Sequence, residues 1–418
     1  MFQSQGSQSQ MSQSQIKLSA AAYQQHKRLA LYINQQISES GGAIPFSEFM
    51  QSALYAPGLG YYQSGTHKFG ERGDFITAPE MGALFACGLA NSITSADLDL
   101  GKNLLEIGAG SGQLAADLLC QLEVQNQLPD NYFILEPSAS LQSLQYQKIS
   151  TQAPALVKRV TWLSELPKNF VGIIFANEVV DAIPCELIEK TANGWCYRGV
   201  SATESEHTEK DKTETDAPFE KTLEFEWTYA GECDQQALPP ILLQQEYSEG
   251  YTSEVRPLAR GWIKGLASAL ARGHILLLDY GYPQSEYYHP QRTSGSLKCF
   301  SRHHANESPL QLAGLQDITA HVDFTQLAII ASDCELTVSG FTTQAGFLLQ
   351  NKILEAAEQQ INHVDANEST AGRMKLSQQI QKLTAPTQMG ELVKVICLSR
   401  DCEQVPDGFT LQNQLHRL

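Results

Sequence analysis

Apolar positions along this chain follow two alternating rhythms. Short continuous apolar runs alternate with segments in which apolar residues recur every three or four positions, the pattern of strands interleaved with amphipathic helices. The strand candidates are Asn103 to Ile107, Tyr132 to Glu136, Val160 to Leu163, Gly172 to Ala176 and His274 to Asp279. Leu336 to Val338 and Leu392 to Leu398 follow later. Such an order predicts an α/β protein built on a mostly parallel sheet of seven strands, closed by a late hairpin at its edge. A helical preface precedes the sheet. It holds a helix over 17–39 stopped at Gly41-Gly42, and a short helix opened by Pro45. A turn at 56–60 then leads into an extended segment, and a helix covers roughly 81–94. Further helices are expected over 258–270, 347–363 and 371–383. Between the fourth and fifth strands the pattern breaks into a hairpin, Cys185 to Lys190 and Gly194 to Arg198 around Ala192-Asn193-Gly194, continued by Leu223 to Tyr229. No internal repeat is evident.

Composition narrows the setting. A chain of 418 residues that is 42% hydrophobic can bury a large core. Its net charge of −17 argues against nucleic-acid binding, which depends on Lys and Arg against phosphate. No apolar run approaches the roughly 20 residues a membrane-spanning helix needs, so no membrane insertion is expected. Gln3 to Gln15 is almost pure Gln and Ser and offers nothing to bury. Residues 203–226 concentrate acid in what reads as a solvated loop or the tip of a long hairpin. Nine cysteines occur singly with no C-x-x-C, and His303-His304 has no ligand-spaced partner, so neither disulfides nor a metal site is expected. The N-terminal residues carry neither a basic-plus-apolar signal nor an Arg-rich transit pattern, and a reducing cytoplasm is the expected location.

The candidate chemistry lies at strand ends, where a doubly wound sheet binds its ligands. The first strand delivers Glu106 and then Gly108, Gly110 and Gly112 before a helical pattern begins at Gln113. Glycine tolerates positive φ and lets the backbone approach a ligand. A dinucleotide fingerprint would place its third glycine at Gln113. The observed acid-x-G-x-G-x-G resembles instead the first motif of class I S-adenosylmethionine (SAM) methyltransferases. Glu136 ends the second strand, where a carboxylate either accepts both ribose hydroxyls or neighbours a helix cap. The fourth strand ends in Asn177, Glu178 and Asp181, an unusual load of polar groups for an apolar strand unless they are paired or used.

Across much of its length the chain is similar to the MidA-type (DUF185-like) methyltransferases, relatives of a mitochondrial complex I assembly factor that methylates arginine. The segments that carry the resemblance are GDFITAPE (73–80), LLEIGAGSGQL (104–114), ILEPS (134–138), ANEVVDAIP (176–184), LLLDYG (276–281), GSLKCFSRH (295–303), QDITAHVDFT (316–325) and MGELVKVICLS (389–399). The resemblance implies a class I, Rossmann-like SAM-methyltransferase sheet with a helical N-terminal extension and an inserted substrate region. The expected divisions are a tail over 1–16, a helical region over 17–100, a methyltransferase domain over 101–400 and a C-terminal tail over 401–418. Within the domain an acidic insertion is expected at about 199–240 and an acceptor region at about 282–330.

The resemblance further implies S-adenosyl-L-methionine as cofactor and methyl transfer to a protein acceptor with a basic segment, arginine by analogy. Glu106, Gly108, Gly110, Gly112, Glu136 and Asn177 are then the cofactor-binding residues, with the Trp162-Leu163 region either on the adenine face or in the core. Glu178, Asp181, Asp74 and Glu80 are the catalytic candidates, as carboxylates that could orient a cationic nucleophile and take its proton. Thr77 and Pro79 are substrate-binding candidates in a lid over the cofactor, in which Asp74 and Glu80 could equally be helix caps. Asp279 and Tyr280, with Asp317, Thr319, His321, Asp323 and Phe324, are placed around the acceptor cleft, His321 as a base or as a structural histidine. Two other functions remain open from the residues alone: a nicotinamide-dependent oxidoreductase, and a catalytically silent assembly protein on the same fold.

Overall fold

The computed structural model describes residues 19–63, 77–97, 99–205, 222–301, 304–306, 308–363 and 369–418. The Gln/Ser tail, Asp74 and the crest of the acidic insert lie outside these residues. The strands of the central sheet are numbered β1 (Asn103–Ile107), β2 (Asn131–Leu135), β3 (Val160–Leu163), β4 (Phe170–Asn177), β5 (Leu270–Tyr282), β6 (Thr337–Thr343) and β7 (Val393–Arg400). They pair in the order β3-β2-β1-β4-β5-β7-β6. All pairings from β3 to β5 are parallel, and β7 inserts antiparallel between β5 and β6. A two-residue strand, Val322–Asp323, adds parallel to the end of β5. The late strands are not a tight hairpin, because a run of helices separates β6 from β7.

The apolar runs follow from burial on both faces. Leu104, Ile173, Phe175, Leu276 and Leu278 point into one core, beneath helices Leu84–Ser95, Gln113–Val124 and Ile353–His363. Leu105, Ile107, Ile174, Ala176, Ile275 and Leu277 point into the other, beneath Leu258–Ala269 and Phe324–Asp333. Strand side chains alternate faces, so a sheet covered on both sides must be apolar at every position.

The excursion between β4 and β5 forms a second, antiparallel sheet. Glu186–Thr191 and Gly194–Ser205 make the expected hairpin, and Thr222–Glu232 pairs with its long arm. The first two helices, Ala20–Glu39 and Phe46–Tyr55, pack on this sheet through Leu29, Ile33, Phe46, Phe49 and Met50 against Leu187 and Val200. The N-terminal region is therefore split between two cores, since Leu84–Ser95 joins the central sheet instead. The extended segment expected after Gly60 is a helical turn, Tyr61–Gln63. It closes by the Gln63 N–H bonding the Gly60 carbonyl, with Tyr61 buried. The C-terminal residues also return to the domain: Phe409 is buried against Phe347, and Ser92 donates to the Asp407 carbonyl.

Candidate active site

Beyond the carboxyl ends of β1, β2 and β4 lies a cavity of about 580 Å³, within the range of small-molecule sites. Strand register creates it. Ile107 pairs with Leu135 on one side and Ala176 on the other, so three chain turns leave the sheet at one level.

Gly108, Gly110 and Gly112 have φ of 67°, 54° and 83°, the left-handed region that favours glycine. At Gly112 a Cβ would also lie 2.9 Å from the Cα of Gln145. The loop wraps the cavity and feeds helix Gln113–Val124. Ser111 within it donates to Glu80 Oε1, so the segment Ala78–Met81 is tied to the glycine loop. Thr77, Pro79 and Glu80 all line the cavity on this side.

Two buried carboxylates face the same space. Glu106 is 2% exposed, and Tyr132 Oη donates to its Oε2 at 2.6 Å. Burial pushes its carboxyl up to about 7, against the opposing pull of that bond. Glu136 follows β2 directly and accepts from the Ser138 N–H at 2.9 Å and from Gln145 Nε2 at 3.0 Å. Gln145 is wholly buried, donates also to the Gly110 carbonyl, and is held in turn by Trp162 Nε1 at 2.9 Å. Trp162 is not on the cavity wall; it acts on the site through Gln145.

The end of β4 supplies the third wall. Glu178 adopts φ 53°, an uncommon left-handed conformation for a non-glycine residue, fixed by its N–H bond to the Leu278 carbonyl. Its Oε1 accepts from Asn177 Nδ2 at 3.1 Å and from the Ala78 N–H at 3.4 Å. Burial, reinforced by the charge of Asp181, pushes its carboxyl up to about 8. Asn177 Oδ1 is buried with no hydrogen-bond partner among the described residues. An orphaned acceptor on a cavity wall fits a ligand that brings a donor.

Several expected site residues stand elsewhere. Asp181 does not line the cavity: its backbone is held by Asp279, Ala320 and Arg256, and burial pushes its carboxyl up to about 6. Its charge reaches the cavity by raising Glu178, Tyr55 and Tyr62. Asp279, expected at the acceptor cleft, is a buried anchor. Its Oδ2 accepts from the N–H groups of Val179, Val180 and Asp181, which shapes the loop after β4. Tyr280 stacks on His321 at 6.2 Å, away from the cavity. His321 sits among Tyr280, Tyr282 and the cations Arg292, Lys298 and Arg256. Burial first, then those charges, lower it to about 4, which favours the neutral ring. Asp323 caps helix Phe324–Asp333 by accepting from the Gln326 N–H.

The sequence reading missed other parts of the site. Gln51, Tyr55, Tyr62 and Gln63 bring the N-terminal helical segment into the cavity, and Leu258 and Trp262 line another side. Arg256 donates to the carbonyls of Asp181, Ile183, Ala320 and His321 and locks the loop after β4 to the distal chain. Only Gln145 had a sequence signal. It stands between Leu141 and Ile149 at helical spacing, a polar residue in a buried stripe.

The sheet order with its antiparallel β7, the left-handed glycine loop and the acids at the ends of β1 and β2 define a class I SAM-dependent methyltransferase. The family model described as "Putative S-adenosyl-L-methionine-dependent methyltransferase" matches residues 89–342, and the chain belongs to that family. A solved structure from Burkholderia thailandensis, bound to S-adenosyl-homocysteine, is 36% identical. It superposes with a TM-score of 0.86, covering 96% of this chain and 100% of that one. Protein arginine methyltransferase NDUFAF7, mitochondrial, of Danio rerio is 27% identical over 380 residues, 84% of this chain and 82% of its own. The Homo sapiens protein of that name is 27% identical over 387 residues, 84% and 79% of the two chains. These findings set aside the nicotinamide-dependent reading. The cavity fits SAM: a cradle of three glycines at positive φ, closed to a side chain at Gly112, two acids, and the open acceptor of Asn177.

Proposed function

We propose that this methyltransferase acts on arginine in a protein acceptor. One observation carries the reading. The described residues lining the cavity include four carboxylates, Glu80, Glu106, Glu136 and Glu178, and no Lys, Arg or His. Such walls favour a cationic cofactor and a cationic acceptor, whose charge draws the raised carboxyls of Glu106 and Glu178 into their ionised form, and disfavour phosphate or carboxylate acceptors. The names of the NDUFAF7 relatives support arginine in particular.

SAM supplies a methyl group on a sulfonium. In transfer an acceptor nitrogen forms the new C–N bond, the S–CH3 bond breaks with its electron pair left on sulfur, and the nitrogen sheds one proton. The chain's part is to hold the reactants in line and exclude water. Glu178 is the group placed to orient a guanidinium through charge-assisted hydrogen bonds and, when ionised, to take the proton. Glu106, Glu136 and Asn177 hold the cofactor side. The acidic surface adds attraction for a basic acceptor segment.

The test is incubation of the protein with methyl-labelled SAM and cell extract, followed by digestion and identification of the labelled residue. Methylarginine in protein, absent with Glu178→Gln, is the expected result. Label confined to lysine or to small molecules would overturn the reading.

A further inference from the structure

The cavity extends beyond the glycine loop to two aromatic residues that precede the matched family region. Tyr55 ends helix Phe46–Tyr55 and Tyr62 lies in the following turn; both line the cavity shared by Glu178 and Asn177. Their rings stack with centroids 5.5 Å apart and an interplanar angle of 22°. Both hydroxyls are committed elsewhere. Tyr55 Oη donates to the Ala182 carbonyl at 2.9 Å, and Tyr62 Oη donates to Asp317 Oδ1 at 2.9 Å. Burial raises both phenols far above their ordinary range, so neither ionises under physiological conditions. What the pair offers the cavity is therefore ring surface.

We propose that the stacked Tyr55–Tyr62 pair is the ledge on which the planar guanidinium of the acceptor lies, with Glu178 bonding its edge. Tyr55 and Tyr62 then determine specificity, and Asp317 is a positioning residue acting through Tyr62. This rests on the arginine reading above. An aromatic face attracts a cation through its ring quadrupole, and guanidinium, being flat and weakly hydrated, stacks on it better than a compact ammonium. The ledge is held to the catalytic wall: Ala182, which accepts from Tyr55, belongs to the loop that carries Glu178. No cationic side chain lines the cavity among the described residues to compete for the ring faces.

The experiment measures KM and kcat for an arginine peptide and for the same peptide with lysine, together with the SAM Kd. It compares the full-length wild type with Tyr55→Leu and Tyr62→Leu. The expected result is a rise in arginine-peptide KM of about tenfold in each variant, the order of one desolvated cation–π contact. The SAM Kd should stay within about twofold. The preference for arginine over lysine should shrink. Replacement of Tyr62 by a ring-fluorinated tyrosine weakens the ring's negative face while keeping its shape, and it serves where a leucine variant loses SAM binding; the same rise in KM is expected. Unchanged KM in the leucine or fluorotyrosine proteins, with the wild type methylating arginine, would overturn the ledge alone. A SAM-bound wild type that transfers nothing to arginine peptides or proteins would overturn the arginine reading and the ledge with it.

Discussion

Gln145 donates one side-chain amide nitrogen to both Glu136 Oε2, at 3.0 Å, and the Gly110 carbonyl, at 3.1 Å. A single buried amide thus ties the acid after β2 to the glycine loop after β1. Gln145→Leu fills similar space and removes both bonds and the one from Trp162 Nε1, which leaves the buried carboxylate and carbonyl each one donor short and the indole N–H without its acceptor. A loss of about 1–3 kcal/mol is expected. It should show as a lower denaturation midpoint and as weaker SAM binding by calorimetry. A variant with wild-type SAM affinity would show that the tie does not shape the cofactor site.

Gly112→Ala and Gly108→Ala should differ, although both place a side chain at positive φ. At Gly112 the new Cβ meets the Cα of Gln145, so helix Ala139–Gln152 must move. At Gly108 it meets Val179 Cγ2 at 2.8 Å, the end of a side chain that can turn aside. Backbone strain of about 1–2 kcal/mol is common to both. Gly112→Ala should therefore lose more SAM affinity than Gly108→Ala in parallel titrations. The reverse order would place the tighter contact on the other side of the loop.

Glu178 predicts a pH profile. With its carboxyl near 8, the ionised form is the minority at neutral pH. If it takes the acceptor's proton, kcat/KM rises about tenfold per pH unit below 8 and levels off above it. Glu178→Gln should be slower by roughly 10²-fold or more and lack that rise. Stability moves the opposite way. The folded value lies above the ordinary 4.5, so the protonated group's contribution is complete below 4.5 and is lost as pH rises through 8. Thermal midpoints of wild type and Glu178→Gln, taken from pH 5 to 9, should diverge in that sense.

Asp279 holds the loop after β4 and does not line the cavity. Asp279→Ala strips the acceptor from the N–H groups of Val179, Val180 and Asp181 at once. Destabilisation of at least about 2 kcal/mol is expected, since each buried donor left unmade carries its own cost. Asp279→Asn keeps one acceptor oxygen and should fall between, with kcat reduced more than SAM affinity because the loop carries Glu178. A SAM affinity that falls as far as kcat would instead place Asp279 in support of the cofactor.

Much of the cavity wall at the ends of β1, β2 and β4 was legible before folding. Glu106, the glycines of the loop, Glu136 and Asn177 are named by local events: a strand ending, a backbone forced to positive φ, an acid delivered at a sheet edge. The rest of the wall was not. Asp279, Tyr280, His321 and Asp323 carry the same polar and aromatic character as binding residues, yet each is spent on backbone capping, stacking or loop support. Polarity near a strand end states that a group needs a partner, and does not say whether that partner is a ligand or the chain itself.

The sequence alone determined the class of this protein. Strand period, helix period and glycine spacing are properties of neighbouring residues, so they survive without knowledge of the fold. Only the tertiary structure decided which distant segments close the cavity. Tyr62 meets Asp317 across 255 positions and Tyr55 meets Ala182 across 127. Such pairs are set by the register of the central sheet and by how the N-terminal helices dock on the inserted one. Their hydrogen bonds exist only after the apolar cores beneath them have closed, because burial fixes the distances that no local pattern encodes.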